Sequence, residues 1–117
     1  MKPDFERALE ALTRVRGVRG AVVVDAADGI ALAGALRDGE DGAALSALAA
    51  AVMMRLLRAS DAAGLGAARL VYLRGDEGLL CAAPFGGTLL VAVLADRTAN
   101  LGLVRLALLD AVGGLAA

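Results

Sequence analysis

The sequence predicts an α+β fold with the element order αββαβββα. Three observations carry the prediction. Apolar residues recur at helical spacing near both ends of the chain and over one long central stretch. Five short runs rich in apolar residues fill the spaces between, and glycine-bearing turns separate them. The last of these runs is apolar on both faces, so it needs cover on both.

The elements follow in order. Phe5, Leu9, Leu12 and Val15 recur near helical spacing, with Glu6, Glu10 and Arg14 elsewhere on the surface, and Pro3 suits a first helical turn; this helix ends near Arg16-Gly17. The β-branched run Ala21–Asp25 and the run Gly29–Ala33 are joined across Ala26-Ala27-Asp28, where Asp-Gly supplies hairpin turn chemistry. Arg37-Asp38-Gly39-Glu40-Asp41-Gly42 reads as a loop whose last acids favour the start of a helix. That helix runs from about Ala43 to Ala63, and Gly64 and Gly66 break it. Arg69–Leu73, Leu79–Ala83 and Thr88–Ala95 form a three-stranded meander across two glycine turns. The final helix starts at Asn100, a good N-cap, and stops at Gly113-Gly114. In Thr88–Ala95, Leu89, Val91 and Val93 share one face and Leu90, Ala92 and Leu94 the other. Three helices cover both faces as one layer of two and one layer of one.

The length, 117 residues, suits one domain, residues 1–117, with no internal repeat or linker. Hydrophobic residues make up 59%, more than one small core absorbs, and the mean hydropathy is +0.70. A membrane or a protein partner must take the excess. No uninterrupted apolar run approaches the roughly 18 residues of a spanning helix, the longest being Ala47–Met54, so the expectation is a protein partner and no membrane insertion. The N-terminal residues lack the pattern of a secretory signal, which gives a cytoplasmic expectation. A net charge of −1 and 3% aromatic residues disfavour nucleic acid.

In the central helix, Leu45, Leu48, Val52, Leu56 and Ala59 fall on one stripe and are expected to face the core. The opposite stripe holds Ala47, Ala50, Ala51, Met54 and, at its margin, Leu57. Small residues flanked by methionine let another helix approach closely, and Arg55 and Arg58 would form the rim of such a contact. Burial on both sides within one chain, or alanine present for helix propensity alone, also accounts for the stripe. Leu103 and Leu106 in the last helix mark a second, weaker candidate surface.

Groups for chemistry are scarce. There is no histidine, and the single Cys81 lies in an apolar strand pattern. The acids Asp28, Asp38, Glu40 and Asp41 miss calcium-loop spacing, and the only lysine is Lys2, so there is no phosphate-cradling loop ending in Lys-Ser or Lys-Thr. Ser46, Ser60 and Thr88 have no histidine or lysine to activate them. The expectation is a non-enzymatic protein with no cofactor, metal or catalytic residue.

Gly17-Val18-Arg19-Gly20-Ala21-Val22-Val23-Val24-Asp25, followed by Asp28-Gly29-Ile30-Ala31-Leu32-Ala33, resembles the opening of roadblock/dynein light-chain proteins, including the bacterial MglB group. Leu79–Ala83, Phe85-Gly86-Gly87 and Leu89–Ala95 resemble the closing segment, so the likeness covers nearly the whole chain. Arg16 stands where the family commonly has proline. The resemblance implies a five-stranded antiparallel sheet with the long helix on one face and the terminal helices on the other. It also implies a homodimer in which Arg69, Val71 and Leu73 of the third strand pair with their copies while the long helices lie together. The implied partner is a Ras-like small GTPase, whose GTP hydrolysis MglB-like members promote. The alternative is a scaffold that bridges to another roadblock protein. A small-ligand sensor is a third reading, since sheets flanked by helices also enclose pockets.

Overall fold

The computed structural model describes residues 4–116. Helix α1 (Phe5–Thr13) is followed by strands β1 (Val18–Asp25) and β2 (Ile30–Leu36) and by the long helix α2 (Gly42–Ala62). Strands β3 (Val71–Arg74), β4 (Gly78–Phe85) and β5 (Leu89–Asp96) and helix α3 (Leu101–Ala116) complete the chain. The expected element order is the observed one. All neighbouring strands are antiparallel, in the order β2-β1-β5-β4-β3.

The sheet divides the core in two. Residues such as Ala21, Val23, Cys81, Val91 and Val93 pack with Leu9 and Leu12 of α1 and Val104 and Leu108 of α3. Their strand neighbours Val22, Val24, Leu80, Leu90 and Ala92 pack with Leu45, Ala49 and Met53 of α2. The period-2 alternation of strand side chains therefore divides each central strand between two separate layers. Leu89 joins the first layer and Leu94 the second, as the alternation in the fifth strand predicts.

Local chemistry sets the helix starts. Asp4 accepts from the Arg7 N–H at 3.1 Å, Asp41 from the Ala44 N–H at 3.0 Å and Asn100 from the Leu103 N–H at 3.1 Å. Each satisfies an N–H that the first helical turn leaves without a partner. The expectation for Pro3 lies outside the described residues. At the end of α2, Gly64 adopts φ +79°, and the Leu65 N–H reaches back to the Ser60 carbonyl at 2.9 Å, a glycine-terminated helix end.

The ends of two helices differ from expectation, and β1 begins earlier, at Val18, while β2 runs on to Leu36. α1 ends at Thr13 rather than near Arg16-Gly17. α3 continues through Gly113-Gly114 to Ala116. A glycine costs a helix about 1 kcal/mol relative to alanine, and here the packing of Val112 and Leu115 on the terminal-helix layer holds the helix together past both.

Candidate interaction surface

The seating of α2 on the sheet determines which of its residues reach solvent. Leu45, Ser46, Ala49, Ala50 and Met53 are buried beneath it. The core face is therefore rotated from the expected stripe: Leu45 is buried as expected and Val52 half-buried, but Leu48 and Leu56 are 45% and 40% exposed and Ala59 is exposed. Ser46 makes the rotation possible. Its Oγ donates to the Gly42 carbonyl at 2.7 Å, so the hydroxyl faces the sheet with its hydrogen bond already made.

This seating corrects part of the expected contact surface. Ala50 is buried against the sheet layer, and Leu57 is half-buried and packed on the same cluster. Ala47, Ala51, Met54, Arg55 and Arg58 are exposed. Ala47, Ala51 and Met54 lie beside the β1–β2 turn, where Ala26–Gly29 and α2 enclose a shallow groove of about 300 Å³. Gly29 supplies the φ of +70° that the turn needs, while a Cβ there would make only ordinary contact, 3.7 Å from the Ala50 Cβ. Roughly a third of a turn or more around the helix, Leu48, Val52 and Leu56 form a second apolar flank that points away from this turn. Sequence reasoning assigned that flank to the core.

The second flank shares its sheet face with an open strand edge. β3 pairs only with β4, leaving its outer backbone groups free of sheet partners. Leu73 lies opposite Leu80, which belongs to the α2 layer, and is 42% exposed on that face. Val71 is buried within the chain, and Arg69 precedes the strand instead of belonging to it. β3 begins at Val71 because pairing with β4 begins there, opposite Ala82. Tyr72, 38% exposed, points to the other face, opposite Cys81. By length and composition α2 is also long and apolar enough to cross a bilayer, with a mean hydropathy of 1.4 over 18 residues. The expectation counted uninterrupted runs, and Arg55 and Arg58 interrupt the run without offsetting its average. Packing on the sheet accounts for one side of that apolarity; the two exposed flanks account for much of the rest.

Titratable groups are placed for structure. Burial pushes the Cys81 thiol up to about 12, with Arg105 pulling weakly the other way. Asp96 is held below the usual carboxylate range, first by the Thr98 hydroxyl at 2.6 Å and then by the Thr98 N–H at 2.9 Å. Arg19 Nε and Nη2 both lie 2.8 Å from Glu40 Oε1, tying β1 to the loop before α2. Among the described residues no group of three or more acids or cysteines gathers to hold a metal ion.

An antiparallel sheet with helices on both faces, an open strand edge and apolar helix flanks on the same side defines a small α+β protein-interaction module. The chain belongs to the Roadblock/LC7 domain family, whose family model matches residues 4–95. It is 33% identical over 102 residues to the uncharacterized protein MJ0714 of Methanocaldococcus jannaschii, covering 87% of this chain and 85% of that one. Its fold superposes on MglB of Myxococcus xanthus with a TM-score of 0.82 at 21% identity, covering 97% of this chain and 94% of that one. A structure described as MglB with a tetrameric arrangement gives a TM-score of 0.82 at 26% identity, over 96% of this chain and 87% of that one.

Proposed function

We propose that the protein is a single-domain, cytoplasmic, non-enzymatic homodimer that binds and regulates a Ras-like small GTPase. The observation that carries the dimer is the coincidence, on one face of the sheet, of the Leu48–Leu56 flank and the open β3 edge with Leu73. Antiparallel pairing of β3 with its copy satisfies the free backbone groups. The same two-fold brings the two α2 flanks together, so hydrophobic burial adds to the strand pairing. Each buried leucine or methionine contributes roughly 1.5–3 kcal/mol, enough for several to outweigh a moderate association cost.

The GTPase assignment is supported by family membership and by the likeness to MglB proteins. The exposed strip of Ala51 and Met54 bordered by Arg55 and Arg58 suits an apolar contact centre with a charged rim. Sedimentation at micromolar concentration tests the dimer: the wild type runs as a dimer and Leu56→Asp with Leu73→Asp as a monomer. Co-purification from the source organism, followed by single-turnover GTP hydrolysis by the captured partner, tests the regulation. Hydrolysis that rises with added protein is expected. A second roadblock protein captured with no GTPase would overturn the regulatory reading in favour of the bridging adaptor.

A further inference from the structure

Leu103 and Leu106 of α3 are exposed but offer a partner only apolar contact. The outer edge of β2 offers hydrogen-bonding groups as well, and these state the chemistry of what fits. β2 is the terminal strand at the end of the sheet opposite β3, so it stays open in the proposed homodimer. The register shows which of its groups point outward. The Arg37 N–H donates to the Arg19 carbonyl at 3.0 Å, Ala35 lies opposite Ala21 and Ala33 opposite Val23. Antiparallel bonding alternates along a strand, so Ala33 and Ala35 bond to β1 while Gly34 and Leu36 turn their N–H and carbonyl groups to the outer edge, where no strand of the described residues lies. Each presents one donor and one acceptor.

This edge lacks the charged residues and prolines that ordinarily blunt an exposed strand: Ile30–Leu36 contains neither, and Ile30, Leu32 and Leu36 are all exposed. One irregularity, the register shift at Leu32, leaves that residue without a partner on β1 and confines the regular edge to Ala33–Leu36. Gly34 sits within it, and the chain's own structure does not call for a glycine there. Its φ is not positive, and an added Cβ would make only ordinary contact, 3.5 Å from Val22 Cγ1 and 3.6 Å from Leu36 Cδ1. A glycine inside a strand weakens it, and such a glycine marks a place where another backbone approaches closely. The space it leaves is on the α2 side of the sheet, since Gly34 lies opposite Val22. A large apolar or aromatic side chain on a strand laid beside β2 fills that space next to Leu36, as cross-strand neighbours do for edge glycines.

We propose that the outer edge of β2 takes an extended, uncharged segment of a partner protein as an added strand, with a large apolar side chain of that segment seated over Gly34. Main-chain hydrogen bonds to Gly34 and Leu36 supply the attachment, and the space over Gly34 supplies the selectivity. The inference stands apart from the proposed homodimer and its GTPase, which use the β3 edge and α2. A second copy of this chain fits the edge less well, because pairing β2 with β2 as well as β3 with β3 would extend one sheet without end. A displayed library of peptides about seven residues long, selected on the wild-type protein, supplies the probe. The selected peptides are expected to alternate apolar residues about a central aromatic or large aliphatic one. Their binding is expected to slow hydrogen exchange of the Gly34 and Leu36 amides at least about tenfold and to leave the Ala33 and Ala35 amides, already bonded to β1, unchanged. Gly34→Lys, at an exposed position, is expected to keep the thermal midpoint and to weaken binding at least about tenfold. N-methylation of the peptide backbone, one residue at a time, tests the same contact without altering the protein; binding is expected to be lost only at the alternate residues whose N–H groups face β2. The proposal is overturned if no selected peptide distinguishes the wild type from Gly34→Lys, or if binding survives N-methylation at every position. It is equally overturned if the Gly34 and Leu36 amides of the wild type alone become protected as its concentration rises, which would assign the edge to a second copy.

Discussion

Ser46 Oγ donates to the carbonyl oxygen of Gly42 one helical turn earlier, at 2.7 Å, and Ser46 is fully buried. Because the hydroxyl is satisfied within its own helix, the sheet side of α2 accepts a polar residue while Leu48 turns outward. Ser46→Ala therefore costs at most about 1 kcal/mol, the net value of an ordinary hydrogen bond. Ser46→Asp places an unpaired carboxylate against the sheet and destabilises by about 3 kcal/mol or more. Leu48→Asp leaves the chain folded and affects association instead. Circular dichroism and urea unfolding of the three variants check the assignment. An unfolded Leu48→Asp beside a native-like Ser46→Asp would show the helix seated in the opposite phase.

Gly17 links the end of α1 to the start of α3. It adopts φ +92°, and its carbonyl accepts from the Asp96 N–H at 2.8 Å. A Cβ added there would lie 2.7 Å from the Ala99 Cβ and 3.2 Å from Asp96 Oδ1. Gly17→Ala thus combines an unfavourable backbone conformation with a clash against a turn that has little room to move, and a loss of about 2–3 kcal/mol is expected. Gly39→Ala is the control: φ is +86° but nothing lies within 4 Å, so only the backbone term of about 1 kcal/mol remains. Equal thermal midpoints for the two variants would remove the packing part of the argument.

Most of the scaffold was legible in the sequence because its signals are local. The alternation Leu89–Leu94 assigns side chains to two layers, and Asp41 and Asn100 announce the helices they cap. The phase of α2 was not legible, since both candidate stripes are apolar and a satisfied serine looks polar on paper. One signal was nevertheless present: Leu45, Ala49 and Met53 follow one another at four-residue intervals, a spacing that competes with Leu48-Val52-Leu56. The short β3 was misjudged for another reason. Its start depends on where β4 offers a partner, and Arg69 and Leu70 carry no mark of that. The length of α3 depends likewise on tertiary packing of Leu115, which the glycine pair obscures.

Cys81 lends itself to a test of burial by pH. Removal from water raises its thiol from 9.0 to about 12, with Arg105 lowering it only in part. The folded state therefore holds the proton more tightly than the unfolded chain does. The resulting stability is fully present below about pH 9 and declines as pH rises from about 9 toward about 12, because the unfolded thiol ionises first. Urea unfolding of the wild type should weaken more steeply between pH 8 and pH 10 than that of Cys81→Ala, once the constant cost of the smaller side chain is subtracted. Native protein should resist a disulfide reagent at pH 8 and react at its unfolding rate. Immediate labelling of the folded chain would contradict the buried placement.

Arg55 and Arg58 are exposed on α2, and among the described residues neither takes part in an ion pair. Both lie before the last turn of α2, where the macrodipole's effect has largely fallen off, so it adds only a few tenths of a kcal/mol at most to helix stability. A guanidinium at the rim of an apolar contact contributes more, since its fork meets carboxylates or backbone carbonyls that a desolvated partner surface presents. The two roles separate by measurement. Arg55→Glu with Arg58→Glu, made in protein whose oligomeric state is verified as unchanged, should lower the thermal midpoint slightly and weaken binding of a co-purified partner at least about tenfold, or 1.4 kcal/mol. Salt should weaken the wild-type complex in the same direction, because the arginines at the rim remain partly solvated. Affinity unchanged by the double substitution, alongside the small loss of stability, would leave the arginines with a helix-stabilising role alone and move the partner's contact off α2.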